Sequence, residues 1–316
     1  MPESTIMFVD DDMRVLRSLK ALFRNNAYKV ITVDDGHDAL EITKQQRVHV
    51  VVSDQRMPKM RGVDLLAKMK EVSPNTMRLL LTGYADVPAV VDSINKGEVF
   101  RYVTKPWEVD DITEVVGEAA SISHKLFEAD RSPTKTLNIE AESAPNDSQH
   151  IVVFEPNQEI LAFIESMFGK QHTVHYANSV DRALEYFIDF PIALVITYID
   201  KTQSEQIDFL KQIKQNYPLA TTIAVMSQTD AQVAINLINQ GQVYRYLPTP
   251  ISPGRMNLSV KSALNYHNQM ARNPVLLSRH NVKPIAEESP TSSSVSSGFI
   301  SRIGILRSKL MERLRA

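Results

Sequence analysis

Val48-His49-Val50-Val51-Val52-Ser53-Asp54 is an apolar run that ends on a carboxylate. A strand with one wet face alternates polar and apolar residues, whereas a continuous β-branched run marks a strand buried on both faces, as in a parallel sheet. Outward from this run, Ile6-Met7-Phe8-Val9 and Lys29 to Val33 read as earlier strands, and Thr76 to Leu81 and Val99 to Val103 as later ones. Helical spacing falls between them. It is carried by Val15, Leu16, Leu19, Leu22 and Phe23, by Gly36 to Gln46, by Val63, Leu65, Leu66 and Met69 before Pro74, and by a helix around Val87 to Asn95. Such alternation with short connections predicts an α/β domain, its parallel sheet covered by helices on both sides. A last helix starts near Val109 and keeps apolar positions to Leu126 and Phe127, so it is expected to project as a stalk.

The same pattern returns further along. A shift of 144 residues with no gap lays Ile6 to Trp107 over His150 to Ile251. Ala39-Leu40-Glu41 meets Ala183-Leu184-Glu185, and Asn95, Gly97, Arg101, Tyr102 and Pro106 recur as Asn239, Gly241, Arg245, Tyr246 and Pro250. A period this long is a duplicated domain rather than a solenoid. The polar strand ends were not copied: Asp10, Asp11, Asp54, Thr82 and Lys105 face Phe154, Glu155, Tyr198, Met226 and Thr249.

The chain of 316 residues has room for two such domains. Its organisation is read as a first domain at 1–129 with an extended last helix, a flexible linker at 130–149, a degenerate copy at 150–272, a disordered linker at 273–297, and a basic amphipathic helix at 298–316. In that tail Phe299, Ile300, Ile303, Leu306, Leu310 and Leu314 share one helical face, and five basic residues stand against Glu312. The lack of Cys excludes disulfides, thiol nucleophiles and thiolate metal sites. A net charge of -2 gives no general attraction to nucleic acid. The N-terminus lacks the pattern of a signal peptide, and no apolar stretch is long enough to span a bilayer, so a cytoplasmic location is expected.

In an open parallel sheet, ligands bind beyond the carboxyl ends of the strands. Asp10 and Asp11 end the first strand, Asp54 the third, Thr82 the fourth and Lys105 the fifth. Carboxylates brought together repel one another unless a cation neutralises them, and all-oxygen ligands with room for water suit Mg²⁺. With phosphoryl oxygens held in this way, a carboxylate oxygen of Asp54 is placed to attack phosphorus.

Phe8-Val9-Asp10-Asp11-Asp12, Val51-Val52-Ser53-Asp54-Gln55-Arg56-Met57-Pro58, Leu81-Thr82-Gly83 and Tyr102-Val103-Thr104-Lys105-Pro106 together resemble the receiver domains of bacterial two-component response regulators, over about Ser4 to Phe127. The resemblance implies two flavodoxin-like doubly wound (βα)5 domains, each with strand order 2-1-3-4-5. It implies that Asp54 accepts a phosphoryl group from a histidine kinase or phosphotransfer protein. It further implies Mg²⁺ on Asp11, Asp54 and the Arg56 backbone carbonyl, with Asp10 acting through water. The resemblance also implies that Gly83 must be small to admit the phosphoryl group, that Thr82 and Tyr102 form a switch, and that Lys105-Pro106 is a cis bond. The second copy, with Tyr198 and Thr249 in place of Asp54 and Lys105, resembles a pseudo-receiver.

These features describe a signalling protein rather than an enzyme, with output through contacts to a downstream protein that the sequence does not identify. Self-association through the first receiver, by the face that holds Asn95, Arg101 and Tyr102, is one such contact. No DNA-binding domain is recognised in the sequence. The competing reading is a constitutive scaffold or phosphate sink, whose tail at 298–316 docks on a partner or makes peripheral contact with a membrane.

Overall fold

The computed structural model describes residues 4–24, 28–83, 99–131, 148–154, 158–199, 204–227, 233, 237, 239 and 243–280. The helix expected around Val87 to Asn95, most of the 130–149 linker and the tail at 298–316 lie outside them. Contacts divide the chain into two units, one made of residues 1–139 with 228–239 and the other of residues 140–227 with 240–316.

In the first unit the order is β1 (Ser4–Val9), α1 (Met13–Leu22), β2 (Tyr28–Val33), α2 (Gly36–Gln45), β3 (Val50–Asp54), α3 (Gly62–Val72), β4 (Met77–Gly83), β5 (Arg101–Lys105) and α4 (Val109–Arg131). All strand pairings are parallel and the sheet runs β2-β1-β3-β4-β5. Met7, Phe8 and Val9, like Val50, Val51 and Val52, are wholly buried, so successive side chains on opposite faces are covered alike. Helices are therefore needed on both faces. Two of these helices are capped by acids: Asp12 accepts the Arg14 N–H at 2.8 Å and Asp35 accepts that of His37 at 2.7 Å. The third carboxylate of the Asp10-Asp11-Asp12 run is thus a helix cap.

The expected stalk is not present as such. α4 stays on its own unit through Asp130, because the chain offers its last turns something to pack on. Ile112, Val116, Ala119, Ile122 and Leu126 are buried, Ser123 donates to the Asn75 carbonyl at 2.8 Å, and the Asn75 carboxamide donates to Asp130. Phe127 meets His49 edge-on at 5.4 Å, with the Arg47 guanidinium 4.6 Å from the centre of its ring.

The second unit holds β6 (His150–Phe154), α5 (Gln158–Phe168), β7 (Thr173–Ala177), α6 (Val180–Asp189), β8 (Ile192–Ile199), α7 (Ser204–Asn216), β9 (Thr221–Ser227), β10 (Arg245–Thr249) and α8 (Pro253–Arg272). Its parallel sheet runs β7-β6-β8-β9-β10, the same winding as the first. A 3₁₀ helix at Pro274–His280 follows, at the start of the expected linker. Among the described residues, no helix is long and apolar enough to cross a membrane.

Strand register corrects the gapless alignment. In the first unit Ile6 pairs with Val30 and Val50, and in the second Ile151 pairs with Val174 and Leu194. Val174 and Leu194 stand 144 residues after Val30 and Val50, whereas Ile151 stands 145 after Ile6. The connection from first to second strand is one residue shorter in the second copy, and the ladder shifts between His150 and Ile151. Phe154 therefore replaces Val9, while Glu155 and Pro156 take the sequence positions of Asp10 and Asp11. From β7 onward the 144-residue offset holds.

His49 makes the first unit's stability sensitive to acid. Its Nδ1 accepts the Thr5 N–H at 3.0 Å, and burial, with Arg47 and His124 nearby, pushes its pKa down to about 4. An unfolded chain takes up this proton below about pH 6.5, while the folded chain resists it until about pH 4. Stability is accordingly complete above pH 6.5 and falls toward pH 4 by about 3 kcal/mol, at ~1.4 kcal/mol per pH unit. Urea unfolding at pH 7 and pH 4.5 should show this loss, and His49→Gln should flatten much of the slope between them.

Candidate functional site

Parallel register brings four strand ends to one side of the first sheet. Asp10 follows β1, Asp54 closes β3, Thr82 pairs with Thr104, and Gly83 pairs with Lys105. The Lys105 ammonium lies between two carboxylates, donating to Asp10 Oδ2 at 2.7 Å and to Asp54 Oδ1. Asp54 Oδ2 accepts the Arg56 N–H at 2.5 Å, and Asp10 Oδ1 accepts that of Asp12 at 2.9 Å. Burial holds the Asp10 carboxyl above the usual range, against the hydrogen bond from Lys105. For Lys105 burial works in the opposite direction, but the two carboxylates outweigh it and raise its pKa.

The remaining expected residues have differing surroundings. Asp11 and Arg56 are exposed. Thr82 is fully buried with its hydroxyl 3.3 Å from the Gly83 carbonyl, and the Lys105-Pro106 peptide is cis. Tyr102, expected to move in a switch, is buried within β5 at 3% exposure. Among the described residues no three acidic or histidine side chains converge closely enough to hold a metal ion by themselves.

Two supporting residues escaped the sequence reading. Gln55 ties the end of β3 to β4 and to α3: its N–H donates to the Leu81 carbonyl at 3.1 Å, its carbonyl accepts from the Gly62 N–H at 3.1 Å, and its side-chain oxygen accepts the Val63 N–H at 3.3 Å. Gly62 begins α3 directly against the end of β3. A Cβ there would stand 2.1 Å from the Asp54 carbonyl oxygen and 2.9 Å from Leu80 Cδ1. The available signal was a glycine at a helix start where the preceding residue, Arg61, makes no side-chain cap.

In the second unit the matching strand ends carry Tyr198, Met226 and Thr249. Met226 is buried, and Tyr198 packs against the core cluster that includes Ile196 and Val225. Phe154, at the end of β6, is fully buried with its ring 4.4 Å from that of Phe209. The Thr249-Pro250 peptide keeps the cis form. None of these described positions offers a carboxylate.

Residues 6–117 match the response regulator receiver domain family. Over 197 residues, 62% of this chain, there is 25% identity to the hydrogenase transcriptional regulatory protein HoxA of Bradyrhizobium diazoefficiens, and 39% of that protein is covered. The HoxA of Cupriavidus necator is 30% identical over 117 residues, 37% of this chain and 24% of that protein. The chain thus spans well under half the length of either HoxA. The transcriptional regulatory protein FixJ of Rhizobium meliloti is 29% identical over 182 residues, covering 56% of this chain and 88% of FixJ. Among solved structures, the signal receiver domain of an HD domain-containing protein from Pseudomonas fluorescens Pf-5 is 30% identical, with a TM-score of 0.39, over 40% of this chain and 94% of that one.

The Gly62 contact has a measurable consequence. Gly62→Ala forces α3 away from Asp54 or the end of β3 out of register, and overpacking of this kind costs about 1–3 kcal/mol. At Gly36 the nearest atom to an added Cβ is the Met60 sulfur at 3.2 Å, the far end of a flexible side chain. Denaturant midpoints should therefore fall clearly more for Gly62→Ala than for Gly36→Ala.

Proposed function

We propose that this chain, built on the response regulator receiver domain at residues 6–117, is a phosphorylation-dependent response regulator in which Asp54 accepts the phosphoryl group of a histidine kinase or phosphotransfer protein. The single observation that carries the reading is the Lys105 ammonium held on both Asp10 and Asp54 at the strand ends. It keeps a buried pair of carboxylates together and stands ready to neutralise a phosphoryl oxygen.

In the proposed step a carboxylate oxygen of Asp54 forms a bond to phosphorus as the P–N bond of a phosphohistidine breaks. The electron pair of that bond leaves on the imidazole nitrogen, and an acyl phosphate remains on Asp54. The chain's own groups position this exchange. Lys105 follows the charge to the phosphoryl group, Thr82 has a hydroxyl one residue from the small Gly83, and the Arg56 N–H fixes one Asp54 oxygen. Mg²⁺, when bound, supplies charge neutralisation for the phosphoryl oxygens. Asp11, Asp54 and the Arg56 carbonyl would hold it, with Asp10 acting through water. Mg²⁺ keeps several waters in its shell, so such a site does not need three acids in mutual contact.

The second unit is proposed to be a pseudo-receiver, since Tyr198 and Thr249 offer neither acceptor nor counter-charge. Output is proposed to run through protein contacts rather than turnover of a substrate, because the described chain beyond the receiver is a second α/β unit. The names HoxA and FixJ belong to transcriptional regulators. A transcriptional output here would require a partner, or elements outside the described residues, to reach DNA.

Incubation with acetyl phosphate and Mg²⁺ should place one base-labile phosphoryl group on the chain. Asp54→Ala should abolish it, and Lys105→Met should lower its rate at least tenfold. A label retained by Asp54→Ala, or mapped to the second unit, would refute the assignment.

A further inference from the structure

β5 is the outer strand of the first sheet, and an outer strand leaves backbone donors and acceptors unpaired on its open side. Tyr102 is its second residue. Its N–H donates to Asn239 Oδ1 at 2.9 Å and its carbonyl accepts from Asn239 Nδ2 at 2.9 Å. Asn239 lies 137 residues along the chain and belongs by repeat to the second copy, where it is the counterpart of Asn95. By its contacts, however, the segment Gln228–Asn239 is part of the first unit.

A planar carboxamide offers one acceptor and one donor side by side, so a single side chain reproduces the pair of hydrogen bonds that a neighbouring strand would make. Aspartate has no proton to give the Tyr102 carbonyl, and an aliphatic residue has neither function. The surroundings are those of a covered edge: Tyr102 is 3% exposed, Arg101 is buried, and Leu237, two residues before Asn239, is 1% exposed. Arg101 stacks on Phe100 at 4.2 Å and stands 3.8 Å from Glu118, and burial lowers its pKa to about 10. A guanidinium on an open outer strand would not be desolvated to this degree.

We infer that the open side of β5 is a docking site whose occupant is this chain's own Asn239, which reads the strand through its carboxamide. The duplicated copy then has a use that its lost acceptor does not: it supplies an intrachain ligand for the strand that carries Lys105. Any other protein that pairs with this edge at Tyr102 has to displace Asn239 first. The docking does not depend on Asp54 being a phosphoacceptor, so the two readings fail separately.

The test is amide hydrogen exchange on the full-length, unmodified chain. Tyr102 should be protected, and Asn239→Ala should speed its exchange at least tenfold while amides of β1 and β3 keep their rates. Asn239→Asp keeps the acceptor for the Tyr102 N–H but loses the donor to its carbonyl, so its Tyr102 exchange should fall between those of the wild type and Asn239→Ala. Selective ¹⁵N-asparagine labelling of the unaltered chain gives a second readout, in which the Asn239 side-chain NH₂ should exchange more slowly than a solvent-exposed carboxamide. The inference is overturned if Tyr102 exchanges at the same rate in Asn239→Ala, or if the wild-type Asn239 side chain exchanges at the solvent-exposed rate. Protection of Tyr102 that disappears on dilution would place the segment on a second copy, and would also overturn it.

Discussion

One ammonium between two carboxylates sets the terms for the first unit. Asp10 and Asp54 come from adjacent strands, and two carboxylates brought this close repel one another. Attraction between close unit charges amounts to about 4 kcal/mol at an effective dielectric near 20, and desolvation takes back a share of it. The pair is therefore tolerable only while Lys105 arrives from β5 at the right level. That places demands on everything beneath it. Three strands must end together, which the parallel register of β1, β3, β4 and β5 provides. The helix after β3 must also begin against the Asp54 carbonyl, which only a residue without a side chain permits.

The strands and the acidic end of the sheet were legible because they depend on local signals. The unbroken run at Val50 to Val52 reports burial on both faces, and Asp54 and Lys105 follow strands closely enough for the fold rule to bring them together. Gly62 and Gln55 were not legible, since their roles lie in close approach and backbone ties that no periodicity reveals. α4 was misread for a related reason. Continued apolar spacing shows that a helix goes on, but not whether Asn75, His49 and Arg47 wait to receive it. The one-residue shift in the second copy was hidden as well: Ile151, Val152 and Val153 look equally apolar in either register, and only the pairing to β7 and β8 tells them apart.

β5 joins two kinds of chemistry within five residues. At its end Lys105 answers to charge on β1 and β3. At Tyr102, the strand's second residue, its outer backbone is satisfied by a neutral amide from far along the chain. Movement of the strand along its own axis acts on both at once, since a hydrogen bond of 2.9 Å tolerates little sliding. An edge that is closed in this way is also protected from pairing with other chains.

The shortened connection between β6 and β7 bears on how the second copy can change over time. Tyr198→Asp alone would add one carboxylate to a set of strand ends that otherwise carries Met226 and Thr249, with no lysine among them to balance it. Each single reversal buries an uncompensated polar group or leaves a lone charge, so each is costly until all are present. One of the required steps is an insertion, which would also have to slide β6 back past both of its neighbours. The one-residue difference in this connection thus fixes β6 in a register of its own against β7 and β8, and every contact of the second unit is built on that register.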